Sequence, residues 1–195
     1  MSGRPAVFLD RDGTLSEERG FIDRIELIEI FPWTSDAIRL LNRAGFAVVV
    51  VTNQSAVGRG IIDLPFLQTV HDVFDRHLTK AGARIDRYYF CPHHPDAPLP
   101  EYRMVCRCRK PGPGMIEQAT TDLGLDLSRS FMVGDRPIDV ASGHAAGVRS
   151  VLVQSGHSSG GSDAPPGLRE PDAILNNLME AVGWILRSSS PLSAR

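Results

Sequence analysis

Apolar and polar positions along the chain follow two alternating patterns. Short runs rich in β-branched and aromatic residues, at 6–9, 46–51, 86–90, 130–133 and 149–153, alternate with amphipathic stretches near 34–44, 64–82, 113–124 and 137–146. The first set predicts strands and the second predicts helices. Asn42-Arg43-Ala44-Gly45 puts a glycine where the first helix should stop. Val48-Val49-Val50-Val51 has no polar interruption, as expected of a strand covered on both faces. Strand and helix alternation implies right-handed crossovers, so the expected fold is α/β: a three-layer, Rossmann-like parallel sheet with helices on both faces. Tyr88-Tyr89-Phe90 reads as core and edge packing. Beyond the last strand, residues 155–171 carry Gly156, Gly160, Gly161, Pro165, Pro166 and Gly167 and predict a loop. A final helix is expected from 172 to 186, with Ile174, Leu178, Val182 and Ile185 as its inward stripe. Residues 1–187 then form a single domain, and 188–195, opening on Ser188-Ser189-Ser190-Pro191, a mobile tail.

Several strand-like runs end in residues that can do chemistry. Asp10-Arg11-Asp12-Gly13-Thr14 follows Ala6-Val7-Phe8-Leu9 directly, which puts two carboxylates at a strand's C-terminal end, where a parallel sheet forms its ligand crevice. Burying both unpaired would cost several kcal/mol each, so a cation should meet them. Magnesium suits the site, because it takes one or two carboxylates and completes its octahedron with water and substrate phosphate. Alone, Asp12-Gly13 is also a turn signal, with Thr14 or Ser16 as a cap. Three further segments weigh against the bare turn. Val48 to Val51 leads into Thr52-Asn53-Gln54-Ser55; Arg109-Lys110-Pro111-Gly112-Pro113 precedes a helix starting near Gly114; residues 130–133 run into Gly134-Asp135-Arg136-Pro137-Ile138-Asp139. Each has an innocent explanation, yet together they supply a nucleophile, a hydroxyl donor, a cation and a metal carboxylate.

All three cysteines lie in one segment, Cys91-Pro92-His93-His94 and Cys106-Arg107-Cys108. Three thiols cannot pair off completely, and nothing at the N-terminus reads as a secretion signal, so an oxidised framework is not expected. With His93 they make a tetrahedral Cys₃His set for structural zinc; His94 is the weaker candidate. Because Cys108 precedes Arg109 and Lys110 directly, fixing its thiolate would fix the backbone that aims both cations.

In identity, order and placement, Asp10/Asp12, Thr52, Lys110 and Asp135/Asp139 resemble the four motifs of the haloacid dehalogenase superfamily of phosphatases, over roughly residues 6 to 155. The resemblance implies that Asp10 attacks phosphorus to form an aspartyl phosphate, while Asp12 serves as acid and then as base. Thr52 and Lys110 would neutralise the transferring group. Magnesium would be held by Asp10, the Asp12 backbone carbonyl and Asp135, with Asp139 anchoring the loop or Lys110. Neither 10–34 nor the stretch after Thr52 has room for a lid domain, so a capless member is expected.

The zinc loop, 91–108, narrows the resemblance to a branch that contains heptose 1,7-bisphosphate and histidinol-phosphate phosphatases. Its long interval and the run Cys-Pro-His-His-Pro look like the heptose members, which implies removal of the C7 phosphate. Substrate contacts carried over by position are Glu18, Arg19, Gly20 and Phe21; Thr52, Asn53, Gln54 and Ser55; and Arg109 with Lys110. Glu-Arg-Gly-Phe stands where that branch has Asp-His-Gly-Tyr, which removes an imidazole and a phenol. Arg136 stands where a lysine is usual, keeping the charge with different donor geometry. Histidinol-phosphate or broad sugar-phosphate hydrolysis is the alternative. A non-catalytic zinc-binding module is a remote one, disfavoured because Asp10, Asp12, Lys110 and Asp135 are all intact.

With 195 residues, 42% of them hydrophobic, the chain can bury one substantial core. A net charge of −2 offers no attraction for nucleic acid or an anionic membrane. Locally, Arg11, Arg59, Arg107, Arg109, Lys110 and Arg136 crowd the motif loops, where an anionic substrate would arrive. No run approaches the roughly 20 apolar residues that span a bilayer. The expectation is a soluble, cytoplasmic monomer acting on a phosphorylated sugar.

Overall fold

The computed structural model describes residues 3–156 and 165–189. Six strands, β1 (Ala6–Leu9), β2 (Ala47–Asn53), β3 (Arg87–Cys91), β4 (Phe131–Gly134), β5 (Arg149–Val153) and β6 (Ala173–Leu175), form one parallel sheet in the order β3-β2-β1-β4-β5-β6. The helices are α1 (Thr34–Arg43), α2 (Ser55–Gly58), α3 (Leu64–Lys80), α4 (Gly114–Leu123), α5 (Pro137–Ala145) and α6 (Leu178–Ser189). The period-two alternation of the central strands divides the core. Val7, Leu9, Val48, Val50, Phe131 and Val133 face one way, against Ile38 and Leu41 of α1, Phe74 of α3 and Val182 of α6. Ala6, Phe8, Val49, Val51 and Met132 face the other, against Met115 and Ile116 of α4. On that second face α5 approaches so closely that a Cβ on Gly143 would lie 2.6 Å from the Met132 Cβ. This is the expected three-layer architecture, and no separate cap domain interrupts it among the described residues.

The C-terminal region departs from expectation. Residues 173–175 are not helical: they pair with β5 as the sheet's edge strand, and Ile174 is exposed rather than part of a buried stripe. The helix begins only at Leu178. Asn177 Oδ1 accepts from the backbone N–H of Glu180, capping one free donor of the first turn, and the Glu180 carboxylate accepts from that of Asn176 just ahead of the helix. Its far end runs further than expected, taking in Ser188 and Ser189; the Ser189 hydroxyl donates to the Ile185 carbonyl at 2.8 Å, meeting one of the terminal acceptors. The rest of the expected tail, 190–195, and loop residues 157–164 lie outside the described residues.

The chain reverses direction across the sheet at β1, whose neighbours are β2 and β4. Connections leave the carboxyl ends of β1 and β4 to opposite faces, which opens the crevice of a parallel sheet at that point. Asp10 follows β1, Asp135 follows β4, and Thr52 and Asn53 close β2.

Candidate active site

Asp10 stays pinned to the sheet beyond its strand, its N–H donating to Val133 O at 3.0 Å. Its Oδ1 accepts from Lys110 Nζ at 2.7 Å. The same ammonium donates to Val51 O at 2.9 Å and forms an ion pair with Asp139 Oδ1 at 2.6 Å. Asp139 Oδ2 meanwhile accepts from the N–H of Arg136, locking the first turn of α5. Lys110 therefore ties the ends of β1, β2 and β4 together. The backbone of Lys110 is clamped in turn by the Asn53 amide: Lys110 N–H donates to Asn53 Oδ1 at 3.0 Å, and Asn53 Nδ2 donates to Lys110 O at 3.1 Å.

Asp10, Asp135 and Asp139 each bring a carboxylate oxygen within 4.8 Å of the others, and all three residues are buried. Asp135 has no lateral room. Its Oδ2 would lie 2.2 Å from a Cβ on either Gly13 or Gly156, and Gly13 sits at φ +80°, so both positions require glycine. Three buried acids facing one ammonium leave an excess of negative charge. Burial pushes Asp10 up to about 8, with Asp139, Asp135 and Asp12 adding to the rise against the lowering effect of Lys110. For Lys110 burial opposes the charge, but Asp10 and Asp139 outweigh it and hold the ammonium protonated. The donor set is all oxygen, anionic and one positive charge or more short of neutral, which fits a magnesium ion.

Asp12 does not join that cluster through its carboxylate. Arg11 Nε donates to Asp12 Oδ1 at 2.9 Å and Arg11 Nη2 to Oδ2 at 2.7 Å. Gln54 Nε2 reaches the same Oδ2 at 3.1 Å and the Thr52 hydroxyl oxygen at 2.9 Å. Above Asp12 opens a crevice of about 370 Å³, walled by Glu18, Gly20, Phe21, Ile22, Asn53, Gln54, Ser55, Ala56, Arg109 and Arg136.

Most sequence-predicted contacts are thus brought together, with informative exceptions. Arg19 turns outward to pair with Glu29 and does not line the crevice. Thr52 and Lys110 are buried beneath it. Phe21 stands exposed at the wall, with the Arg59 guanidinium 5.8 Å from its ring centroid. Of the basic residues around the loops, Arg107 points away to pair with Glu117, and Arg11 is buried against Asp12. The partnership of Arg11 and Gln54 with Asp12 was not read from the sequence. Its one local signal was an arginine set between two acids directly after a strand.

The thiols of Cys91, Cys106 and Cys108 lie 3.1–3.5 Å apart, and His93 Nδ1 is 3.6 Å from Cys91 Sγ and 3.4 Å from Cys108 Sγ. None is in a disulfide. A tetrahedron with Zn–S of about 2.3 Å has edges of about 3.8 Å, a few tenths of an ångström wider than these separations. Burial raises Cys91, helped by hydrogen bonds it donates to Cys108 and Cys106, and raises Cys108, helped by the one it donates to Cys106 against the one it accepts from Cys91; Cys106 is lowered, because hydrogen bonds from Cys108, the Arg109 backbone and Cys91 overcome its burial. The S₃N donor set fits zinc. His94 stays outside the cluster, its Nδ1 accepting from the Asp96 N–H. The loop reaches the crevice through Arg109, whose Nη1 donates to His93 O at 3.1 Å.

Residues 107–181 match the HAD-hydrolase-like family model. The chain is 42% identical over 136 residues to the D-glycero-beta-D-manno-heptose-1,7-bisphosphate 7-phosphatase of Yersinia pestis, covering 70% of this chain and 72% of that protein. It is 43% identical to that of Escherichia coli K12, over 70% and 71%. Among solved structures, the D,D-heptose 1,7-bisphosphate phosphatase of B. bronchiseptica, crystallised with magnesium and phosphate, superposes with a TM-score of 0.82 at 31% identity, over 94% of this chain and 99% of that one.

Proposed function

The chain belongs to the HAD-like hydrolases, in the family of the D-glycero-beta-D-manno-heptose-1,7-bisphosphate 7-phosphatases, and from that membership we propose that it removes the C7 phosphate of the β-anomeric heptose 1,7-bisphosphate. The observation that carries this reading is the strand-end cluster in which Asp10, held by the buried Lys110, lies beside Asp135 and Asp139 under an open crevice.

Asp10 attacks phosphorus, and the C7 oxygen leaves as Asp12 protonates it. Asp12 then takes a proton from the water that hydrolyses the aspartyl phosphate, returning both carboxylates to their starting state. Asp10, Asp135 and the Asp12 backbone carbonyl would hold magnesium, which when bound supplies charge neutralisation at the transferring group. Lys110 orients Asp10 and adds positive charge beneath the phosphoryl site; Thr52 donates its hydroxyl to a phosphoryl oxygen. Glu18, Gly20 and Phe21 on one wall, Asn53 and Ser55 on the other, and Arg109 at the mouth frame the sugar, while the Gln54 amide faces Asp12 and Thr52 rather than the sugar. Cys91, His93, Cys106 and Cys108 would hold zinc, which when bound fixes the backbone that presents Arg109 and Lys110. Three free thiols suit the reducing cytoplasm, where we place the reaction.

Phosphate release with magnesium from both heptose bisphosphate anomers, beside histidinol phosphate and fructose 1,6-bisphosphate, tests the assignment. A kcat/KM advantage for the β anomer is expected. Comparable slow turnover of all four would overturn the substrate and leave the chemistry standing.

A further inference from the structure

The Asp12 carboxylate is held on both oxygens by groups that no step above employs. Arg11 closes a two-point fork on it, and the arginine side chain is itself only 2% exposed. Such a fork fixes the carboxylate plane as well as its distance, which a single-point donor cannot do. The main chain reinforces it, since Arg11 O accepts from the N–H groups of Leu15 at 2.8 Å and of Thr14 and Ser16 at 3.3 Å, curling the loop around the arginine. From the opposite side Gln54, also buried, donates through Nε2 to Asp12 Oδ2 and to Thr52 Oγ1. Against an ionised Asp12 carboxylate the amide faces this way, because its carbonyl turned toward Asp12 would set two acceptors against each other. By donating to the Thr52 oxygen, Gln54 occupies one of its lone pairs and leaves the hydroxyl hydrogen to point elsewhere.

We propose that Arg11 and Gln54 are positioning residues for the reaction: Arg11 sets the plane of the Asp12 carboxylate, and Gln54 couples that carboxylate to the Thr52 hydroxyl, so that proton donor and phosphate donor are aligned as one unit. The proposal rests on the reading of Asp12 as the general acid. It assigns a function to a large buried charge next to the site that a purely structural ion pair would place anywhere in the fold. It also sets a limit on substitution. Lysine retains the charge but has no fork, so charge alone does not restore alignment.

The test exploits the leaving group. A sugar alkoxide needs protonation as it departs and p-nitrophenolate does not, while kcat/KM reports only the steps up to its departure. Arg11→Lys, Arg11→Met and Gln54→Met are compared with wild type and with Asp12→Asn on heptose bisphosphate and on p-nitrophenyl phosphate, with folding verified by thermal melting. Arg11→Lys and Gln54→Met serve if Arg11→Met fails to fold. The expected result is a loss of roughly tenfold to hundredfold in kcat/KM on the sugar ester, with a loss of under about threefold on the aryl ester, in the same direction as Asp12→Asn. Equal losses on both esters in the folded Arg11 and Gln54 variants, with Asp12→Asn still discriminating, would overturn the positioning role alone. Equal losses for Asp12→Asn as well would overturn the general-acid reading beneath it.

Discussion

The carboxylate crevice and the cysteine loop each gather donors that suit a cation, and they are assembled in opposite ways. Cys91 and Cys108 are 17 residues apart, on two short arms of one loop. Asp10 and Lys110 are 100 residues apart and meet only because β1 and the loop before α4 converge at one end of the sheet. The thiol cluster is partly accessible and its donors are soft; the crevice acids are buried and already share a lysine. Losing a ligand should therefore unpin a local loop in one region and remove chemistry from an intact scaffold in the other. The general lesson is that the sheet carries the crevice, whereas the cysteine loop has to carry itself.

The largest expected effect separates the two most sharply. Asp10→Asn keeps the shape of the side chain and relieves like-charge crowding, so turnover should fall by at least about 10³-fold, roughly 4 kcal/mol, with the melting temperature unchanged or raised. Steady-state kinetics beside calorimetry checks both halves. Turnover near wild type would rule out an aspartyl phosphate.

Next comes acid. His71, on α3 behind the crevice, is stacked on Tyr88 with ring centroids 4.3 Å apart and is buried. Burial, with the charge of Arg11, lowers it from 6.5 to about 4. The unfolded chain binds its proton more readily, so this contribution to stability is complete above pH 6.5 and is lost as pH falls through about 4. Its size is about 3 kcal/mol. Denaturant unfolding of wild type and His71→Phe across that range should show wild type losing about this much more stability than the variant as pH falls; a difference independent of pH would contradict the assignment.

The smallest effect belongs to the loop. Cys108→Ser should lower the melting temperature and also reduce kcat by about tenfold to hundredfold, because the serine loosens the backbone leading into Arg109 and Lys110. Stripping zinc with a thiol-selective chelator while magnesium is kept saturating should do the same. If kcat survives, the loop stabilises the protein without aiming anything.

Several features were legible because they are local. Five strands fall within a residue or two of the apolar runs, and the central ones, β1, β2 and β4, are legible because a strand buried on both faces needs an unbroken apolar segment. The cysteine set follows from spacing alone. β6 was not legible, because Ile174 and Leu178 are also one helical turn apart, and three residues are too few to show an alternating period. What makes 173–175 a strand is the open edge of β5 beside it. A better signal for the helix start was present, with Asn177 three residues before Glu180 in the pattern of a capping box. Arg19 was misplaced for a related reason: a motif position specifies where the backbone runs, and the side chain was taken by Glu29.

By itself, the sequence determined the alternating architecture, the acids and hydroxyls at the strand ends and the donor set of the loop, because each is written in neighbouring residues under a fixed period or spacing. Only the tertiary structure decided how the charges are shared: Asp139 and Asp10 both to Lys110, Asp12 to Arg11 and Gln54, Asn53 to the backbone of Lys110. Those choices join segments up to 100 residues apart. They are settled by which buried donor finds which buried acceptor, since a polar group taken out of water must be paired wherever the fold happens to bring it.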